Sequence, residues 1–295
     1  MRVLLLFCLL GLFACQSLQA PSALPAWQSP QAREHAQLGH IIELRTGRLL
    51  TPAQLLDALA AAPLLLVGEQ HDNPDHHALQ LWLLRNLVQR RAQGSLLLEM
   101  LDSSQQQPLR QAQDDWRRGA RPADPLLALH WQAGWPWHLY GPLVEYALRQ
   151  PYPLLAANLS RSELLQVYRQ PPQLVGTASS AAAVRQALLA QIRESHCQSL
   201  PESQLPAMLA VQQQRDRRMA EALLAAAQPA MLLAGAYHVR RDVGVPLHLA
   251  DLGGPAARVL ILAEAGREVT AEQADYVWYS AAVEEQDYCA SLGQR

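Results

Sequence analysis

A mostly parallel α/β sheet flanked by helices, with a helical elaboration between strands, is the fold class this sequence predicts. Short apolar runs such as Leu64-Leu65-Leu66-Val67, Leu96-Leu97-Leu98 and Met231-Leu232-Leu233-Ala234 read as buried parallel strands. They alternate with helix-length amphipathic stretches, the pattern of a sheet covered on both faces. Two of the runs close on a glycine followed by polar chemistry, Gly68-Glu69-Gln70-His71 and Gly235-Ala236-Tyr237-His238. Ligands of open α/β sheets collect beyond the carboxyl ends of strands, so these two ends point to one shared site.

Taken in order, Ile41 to Leu44 reads as the first strand, and Thr51-Pro52 caps a helix through Ala60. Leu64 to Val67 is the next strand; Asp72-Asn73-Pro74 then supplies an N-cap and a first-turn proline for a helix to about Arg91. Leu96 to Met100 is a further strand, after which the chain is mainly helical to about Gln150, with a tryptophan-rich patch at Trp131, Trp135 and Trp137. A strand at Leu154 to Asn158 precedes helices at Arg161 to Tyr168, Ala181 to Glu194 and Leu205 to Ala227. Met231 to Ala234, Val259 to Ala263 and Tyr276 to Tyr279 complete the sheet.

At 295 residues, 50% hydrophobic and 17% charged, the chain can bury a full core. A formal net charge of -2 with no long basic run removes the footprint of a nucleic-acid binder. At the N-terminus Arg2 precedes an apolar stretch from Val3 to Phe13, too short to span a bilayer and the size of a signal-peptide core. Leu12-Phe13-Ala14-Cys15 resembles a bacterial lipobox, in which cleavage precedes a cysteine that becomes lipidated. Gln16 after that cysteine implies, by resemblance to Gram-negative lipoproteins, sorting to the outer membrane, periplasmic or surface-facing. The expected organisation is a signal peptide over 1–14, a flexible tether over 15–37 rich in Pro, Ser, Ala and Gln, and one α/β domain over 38–295. Cys8 leaves with the signal and Cys15 carries lipid, so in an oxidising compartment Cys197 and Cys289 are expected to pair.

Glu69 and His71 project to the same side if extension persists past the strand; Glu99 ends an apolar run, and His238 follows the second glycine. Burying carboxylates beside imidazoles is costly unless they share a metal, a proton or hydrogen bonds. The set therefore reads either as a donor group for a divalent ion or as structural acids bonded to loop amides and histidines. His76 and His77 fall in the first turn of a helix, where solvation is the commoner fate, and only His76 is carried as a secondary candidate. In the helix from Leu205 the apolar stripe is broken at Gln212, Gln213 and Asp216, a polar gap that needs partners such as Arg217 or a strand end. Trp131, Trp135, Trp137, His138, Tyr140, Tyr146 and Tyr152 form either an aromatic plug or the apolar walls and phenolate that a macrocycle needs.

Together, Val67 to His77, Leu98-Glu99-Met100, Trp135 to Tyr140, Gln213 to Ala220 and Gly235 to Pro246 resemble the ChaN-type haem-binding lipoproteins. These belong to a superfamily with the Tiki proteases, TraB proteins and erythromycin esterases, and the match spreads over about residues 38 to 290. The resemblance implies a lipid-anchored outer-membrane protein that holds ferric haem (iron protoporphyrin) for iron uptake. It also implies a homodimer with stacked haems at its interface, a tyrosine on the iron, a partner-subunit histidine nearby, and delivery involving a TonB-dependent haem receptor. Tyr140 is the expected iron ligand, with Tyr237 and Tyr146 as competitors and Glu69, His71, Glu99 and His238 around the cofactor. The alternative is a divalent-metal-dependent hydrolase using Glu69, His71, Glu99 and His238, as in the Tiki and esterase relatives.

Overall fold

The computed structural model describes residues 20–287, 289 and 290; the expected signal peptide, the lipobox cysteine Cys15 and its neighbour Gln16 lie outside the described residues. The chain builds β1 (Ile41–Glu43), β2 (Arg48–Leu50), α1 (Pro52–Ala60), β3 (Leu64–Glu69), α2 (Pro74–Leu87) and β4 (Ser95–Asp102). Next come α3 (Gln106–Arg117), α4 (Pro125–Ala128), α5 (Trp137–Leu148), β5 (Leu154–Asn158), α6 (Arg161–Arg169), α7 (Ala182–Ser195) and α8 (Leu205–Ala225). The last elements are β6 (Ala230–Gly235), α9 (Ala236–Val239), α10 (Val245–Asp251), β7 (Arg258–Glu264) and β8 (Tyr276–Ser280).

These strands form an 8-stranded sheet in the order β2-β1-β8-β7-β3-β6-β4-β5. From β8 to β5 every pairing is parallel; β1 and β2 add an antiparallel edge. The strands that carry the core read as unbroken apolar runs because both faces are covered. Leu65, Val67, Leu96 and Leu98 point into a core with α1, α2, α3 and α5, while Leu64, Leu66 and Leu97 pack against α8 and α10 on the other face. Strand β2 is only three residues, Arg48-Leu49-Leu50, two of them exposed, too short for its apolar pair to announce a strand.

Local chemistry sets the helix starts. Thr51 closes a capping box with Gln54, Asn73 caps α2 ahead of Pro74, and Ser160 closes a capping box with Glu163. Because β6 lies between β3 and β4, the connection after β3 turns one way and the later strands build the other way, a switch point at the sheet's centre. Glu69 and Gly235 are register partners across β3 and β6, and Leu98 pairs with Leu233, which sets Glu99 beside the same edge.

Residues 20–37 correct the expectation of a flexible tether beginning at residue 15. Ser22 is held by Asn86 and its carbonyl accepts from Trp82 Nε1 at 2.9 Å; Gln28 and Ser29 donate backbone N–H groups to Asp75. Gln31 then bridges Ala282. The polar composition misled because these backbone donors find buried side-chain acceptors on α2 in place of water. At the other terminus a disulfide joins Cys197 to Cys289, tying the corner after α7 to the segment beyond β8.

Candidate functional site

The site is built on the carboxyl edge of β3, β6 and β4. Glu69 is the last residue of β3 and is buried, and three side chains converge on its carboxylate. Tyr140 from α5 donates its hydroxyl to Oε1 at 2.7 Å, His71 donates Nδ1–H to the same oxygen at 2.9 Å, and His77 Nδ1 from α2 stands 3.0 Å from Oε2. The other nitrogen of His77 donates to the His71 carbonyl at 2.9 Å. With the Glu69 carboxylate at one nitrogen and a carbonyl on the other, the setting of His77 favours its protonated form. Burial opposes its charge, but the Glu69 carboxylate and these hydrogen bonds raise its pKa. Burial also opposes ionisation of Glu69, yet the imidazoles of His77 and His71 outweigh it and hold the carboxyl at about 2.

His76, one residue earlier on α2, shows the opposite outcome. Its Nδ1 accepts from the Gln70 N–H at 2.9 Å and its Nε2 faces Ser280 Oγ at 3.0 Å, a pairing that suits a neutral ring, and burial pushes its pKa down to about 3.

A second buried triad lies on the α8 side. His238 on α9 presents Nδ1 to Asp216 Oδ1 of α8 and Nε2 to Glu99 Oε1 at 3.3 Å. Two carboxylate acceptors keep this ring charged: against the penalty of burial, Glu99 and Asp216 raise it to about 10. Glu99 also accepts the Gly235 N–H at 2.7 Å, and although burial opposes it, His238 holds its carboxyl well below the usual range. The polar gap read in the α8 stripe is therefore the seat of Asp216, whose partner is His238 rather than Arg217.

Glycines bring the two halves together. A Cβ at Gly235 would stand 2.8 Å from His71 Nε2, and one at Gly68 would meet Val239 Cγ2 at 2.5 Å. No side chain fits at either place, so β6 and α9 close onto β3 and His71 rests against the Gly235 backbone. Trp135 meets the His71 ring edge-on at 4.9 Å between centroids and packs also on Tyr140.

The family model for "haem-binding uptake, Tiki superfamily, ChaN" matches residues 55–249, well over half of the chain. The chain belongs to the ChaN family. Among solved structures it is similar to ChaN of Campylobacter jejuni, whose structure shows cofacial haem binding. Identity is 30% and the TM-score is 0.75, over 81% of this chain and 95% of that one. Weaker fold likenesses include an erythromycin esterase mutant in its open conformation (14% identity, TM-score 0.45, 85% and 86% covered). The type III effector HopBA1 is another (14%, 0.40, 77% and 92%). No curated protein sequence matches.

In this ChaN-family chain the expected iron ligand, Tyr140, is buried and hydrogen-bonded. It is 0% exposed, its proton is committed to Glu69, and burial together with that carboxylate pushes its pKa far above the ordinary phenol value. Phenolate formation there would set two anions together in a buried site. Glu69, Glu99 and His238, expected around the cofactor, lie beneath the edge, Glu69 paired with His71 and His77 and Glu99 with His238. Among the described residues no group of three or more His, Cys, Asp or Glu is arranged to hold a metal ion.

Two of the sequence candidates do reach the surface. The His71 side chain is 43% exposed, and Tyr237, next to His238 on α9, is 44% exposed with the Arg240 guanidinium 5.2 Å above its ring. Tyr146 sits far along α5 under Arg85 and is half-buried. Sequence reasoning missed His77, because a first-turn helical histidine carries no sign that the preceding strand ends in a carboxylate.

Proposed function

We propose that this ChaN-family chain is an outer-membrane-anchored lipoprotein that holds ferric haem for iron uptake, over the open sheet edge beside His71, Trp135 and Tyr237. The observation that carries the reading is the pairing of family membership with an edge where an imidazole and a phenol reach solvent above a fully engaged buried network. The donor set fits the group: Tyr237 offers a hard phenol oxygen suited to ferric iron, and Trp135 offers an apolar wall. Tyr237 replaces Tyr140 as the tyrosine ligand. When bound, haem supplies an iron centre to be captured and passed on, and the chain's own residues supply ligation and an ordered floor.

Similarity to a structure with cofacial haems supports a homodimer with haem at the interface, since an open edge leaves one face of the macrocycle to be covered by a second copy. The lipobox-like Leu12-Phe13-Ala14-Cys15 is what supports anchoring through lipid on Cys15. A TonB-dependent haem receptor is the partner this role calls for. The test is a haem titration of the chain from residue 16 onward, with mass analysis of the full-length product for lipid on Cys15. One haem per chain supports the reading; haem that never saturates, or an unmodified Cys15, overturns the corresponding half.

A further inference from the structure

The amino edge of the sheet, opposite the site above, carries a cluster of cations. Arg45, Arg241 and Arg258 line one cavity together with Glu43, Asp275 and Tyr276. The sheet sets them there: β1 ends at Glu43, its register partner Tyr276 begins β8, and Arg258 begins β7. Arg241 and Arg258 each place Nη1 on the same oxygen of Asp275, at 3.2 and 3.0 Å, and the other oxygen of that carboxylate accepts the Val259 N–H at 2.9 Å. Glu43 is likewise engaged, accepting from the Thr46 hydroxyl at 2.7 Å with Arg48 at 3.5 Å.

Donors are therefore in surplus. Among the described residues the Nε and Nη2 groups of Arg241 and Arg258 meet no hydrogen-bond acceptor, and both side chains are nearly half exposed. Arg45 is exposed beside them and has no ion pair among the described residues. With Arg48 included, four guanidiniums face two carboxylates, Glu43 and Asp275. Guanidiniums pinned by a shared carboxylate with their outer donors open suit a phosphate, whose oxygens accept parallel N–H bonds.

The chain's N-terminal segment reaches this same edge. Ser22 is held by Asn86 in the last turn of α2, and Arg91, just past that helix, donates to the carbonyls of Leu59 and Ala62 immediately before β3. Seven residue steps separate Ser22 from Cys15, a reach of at most about 25 Å.

We propose that the amino edge is a docking surface for anionic phospholipid, with Arg45, Arg241 and Arg258 taking headgroup phosphates. The proposal rests on the lipid-anchored reading and deepens it, because phosphate held this close to an acylated Cys15 is that of the bilayer itself. An orientation follows. Strand β3 runs six residues from this edge to Glu69, about 20 Å at the usual rise per residue, so the edge bearing His71 and Tyr237 faces away from the membrane. Each basic residue close to an anionic leaflet is worth about fivefold in affinity, and salt screens the attraction.

The experiment is cosedimentation of the chain from residue 16 onward, which holds every described residue and lacks Cys15, with two kinds of vesicle. One is phosphatidylglycerol and phosphatidylcholine in equal parts; the other is phosphatidylcholine alone. The expected result is binding to the anionic vesicles only, weakening steeply with added salt. Arg45→Gln, Arg241→Gln and Arg258→Gln should each weaken it by about fivefold. Arg185→Gln, at an exposed arginine of α7 that lines a different cavity, should leave it unchanged. Arg45→Gln removes no ion pair, so its loss of binding reads the surface even if the other two variants fold poorly by circular dichroism. Equal binding to both vesicles, no binding at low salt, or an equal loss in Arg185→Gln overturns the proposal. Inorganic phosphate bound in calorimetry by a chain that ignores the vesicles would assign the arginines to a soluble anion and overturn it too. Lipid missing from Cys15 in the full-length product overturns the anchor reading separately, since the vesicle result is obtained without that residue.

Discussion

Tyr140 donates its hydroxyl to Glu69 at 2.7 Å from a position with no exposed surface, and so serves as a brace beneath the open edge. The tyrosine embedded in the most haem-like stretch of sequence thereby has its hydroxyl engaged by a carboxylate, and the proposed site lies with residues that reach solvent.

Tyr140→Phe is therefore expected to leave haem stoichiometry unchanged. Removing a hydrogen bond to a charged acceptor should cost about 1.5–3 kcal/mol of stability, read by chemical denaturation. A variant that folds as well as wild type but no longer takes haem would restore Tyr140 as the ligand.

Gly235→Ala probes the close approach of β6 to His71. Its Cβ would stand 2.8 Å from Nε2, so the imidazole must swing off its seat. The expected outcome is a folded protein whose haem affinity falls while its secondary structure, by circular dichroism, stays intact. Unchanged affinity would show that the seat of His71 is immaterial.

His238 lies between two buried carboxylates, Glu99 and Asp216, and Asp216 Oδ2 has no other partner. Replacing the cation with a neutral side chain leaves two buried acids uncompensated. His238→Leu should cost about 3–5 kcal/mol, the usual penalty for breaking a buried pair. A loss under about 1 kcal/mol, the worth of an exposed ion pair, would mean the triad is not charged as described.

Stability should fall on both sides of neutrality. The pKa of His238 is raised from 6.5 to about 10, so its contribution is full below pH 6.5 and is lost as pH rises toward 10. Burial depresses His248 from 6.5 to about 4, so stability is full above pH 6.5 and declines as pH falls toward 4, by about 3 kcal/mol over that window. Neither ring nitrogen of His248 has a hydrogen-bond partner, so His248→Leu should reduce the acid limb by that amount without loss at neutral pH, leaving the share of His76, which burial depresses from 6.5 to about 3. An acid limb unchanged in the variant would assign the loss elsewhere.

Much of this was legible in the sequence. The runs at Leu64, Leu96, Met231 and Val259 announce buried parallel strands because no residue in them tolerates water, and the two glycines before Glu69 and Ala236 mark the edge where the strands stop. What could not be read is which polar residues lie beneath that edge and which lie on it. Tyr140 and Tyr237 carry the same phenol, and only the packing of α5 against α2 and the projection of α9 decide that one is sealed and the other open. The role of His77 and the partner of Asp216 were hidden for the same reason, since Glu69 and His238 come from other elements. Residues 20–37 look like a linker by composition, yet Asp75 and Asn86 of α2 turn them into part of the body.

The most direct test of the account is a ferric haem titration of the chain from residue 16 onward, run in parallel on wild type, Tyr140→Phe and Tyr237→Phe. The account predicts saturation at one haem per chain with a tyrosinate spectrum that survives Tyr140→Phe and disappears in Tyr237→Phe. A wild type that takes up haem without saturating, or a spectrum lost in Tyr140→Phe and kept in Tyr237→Phe, would contradict it.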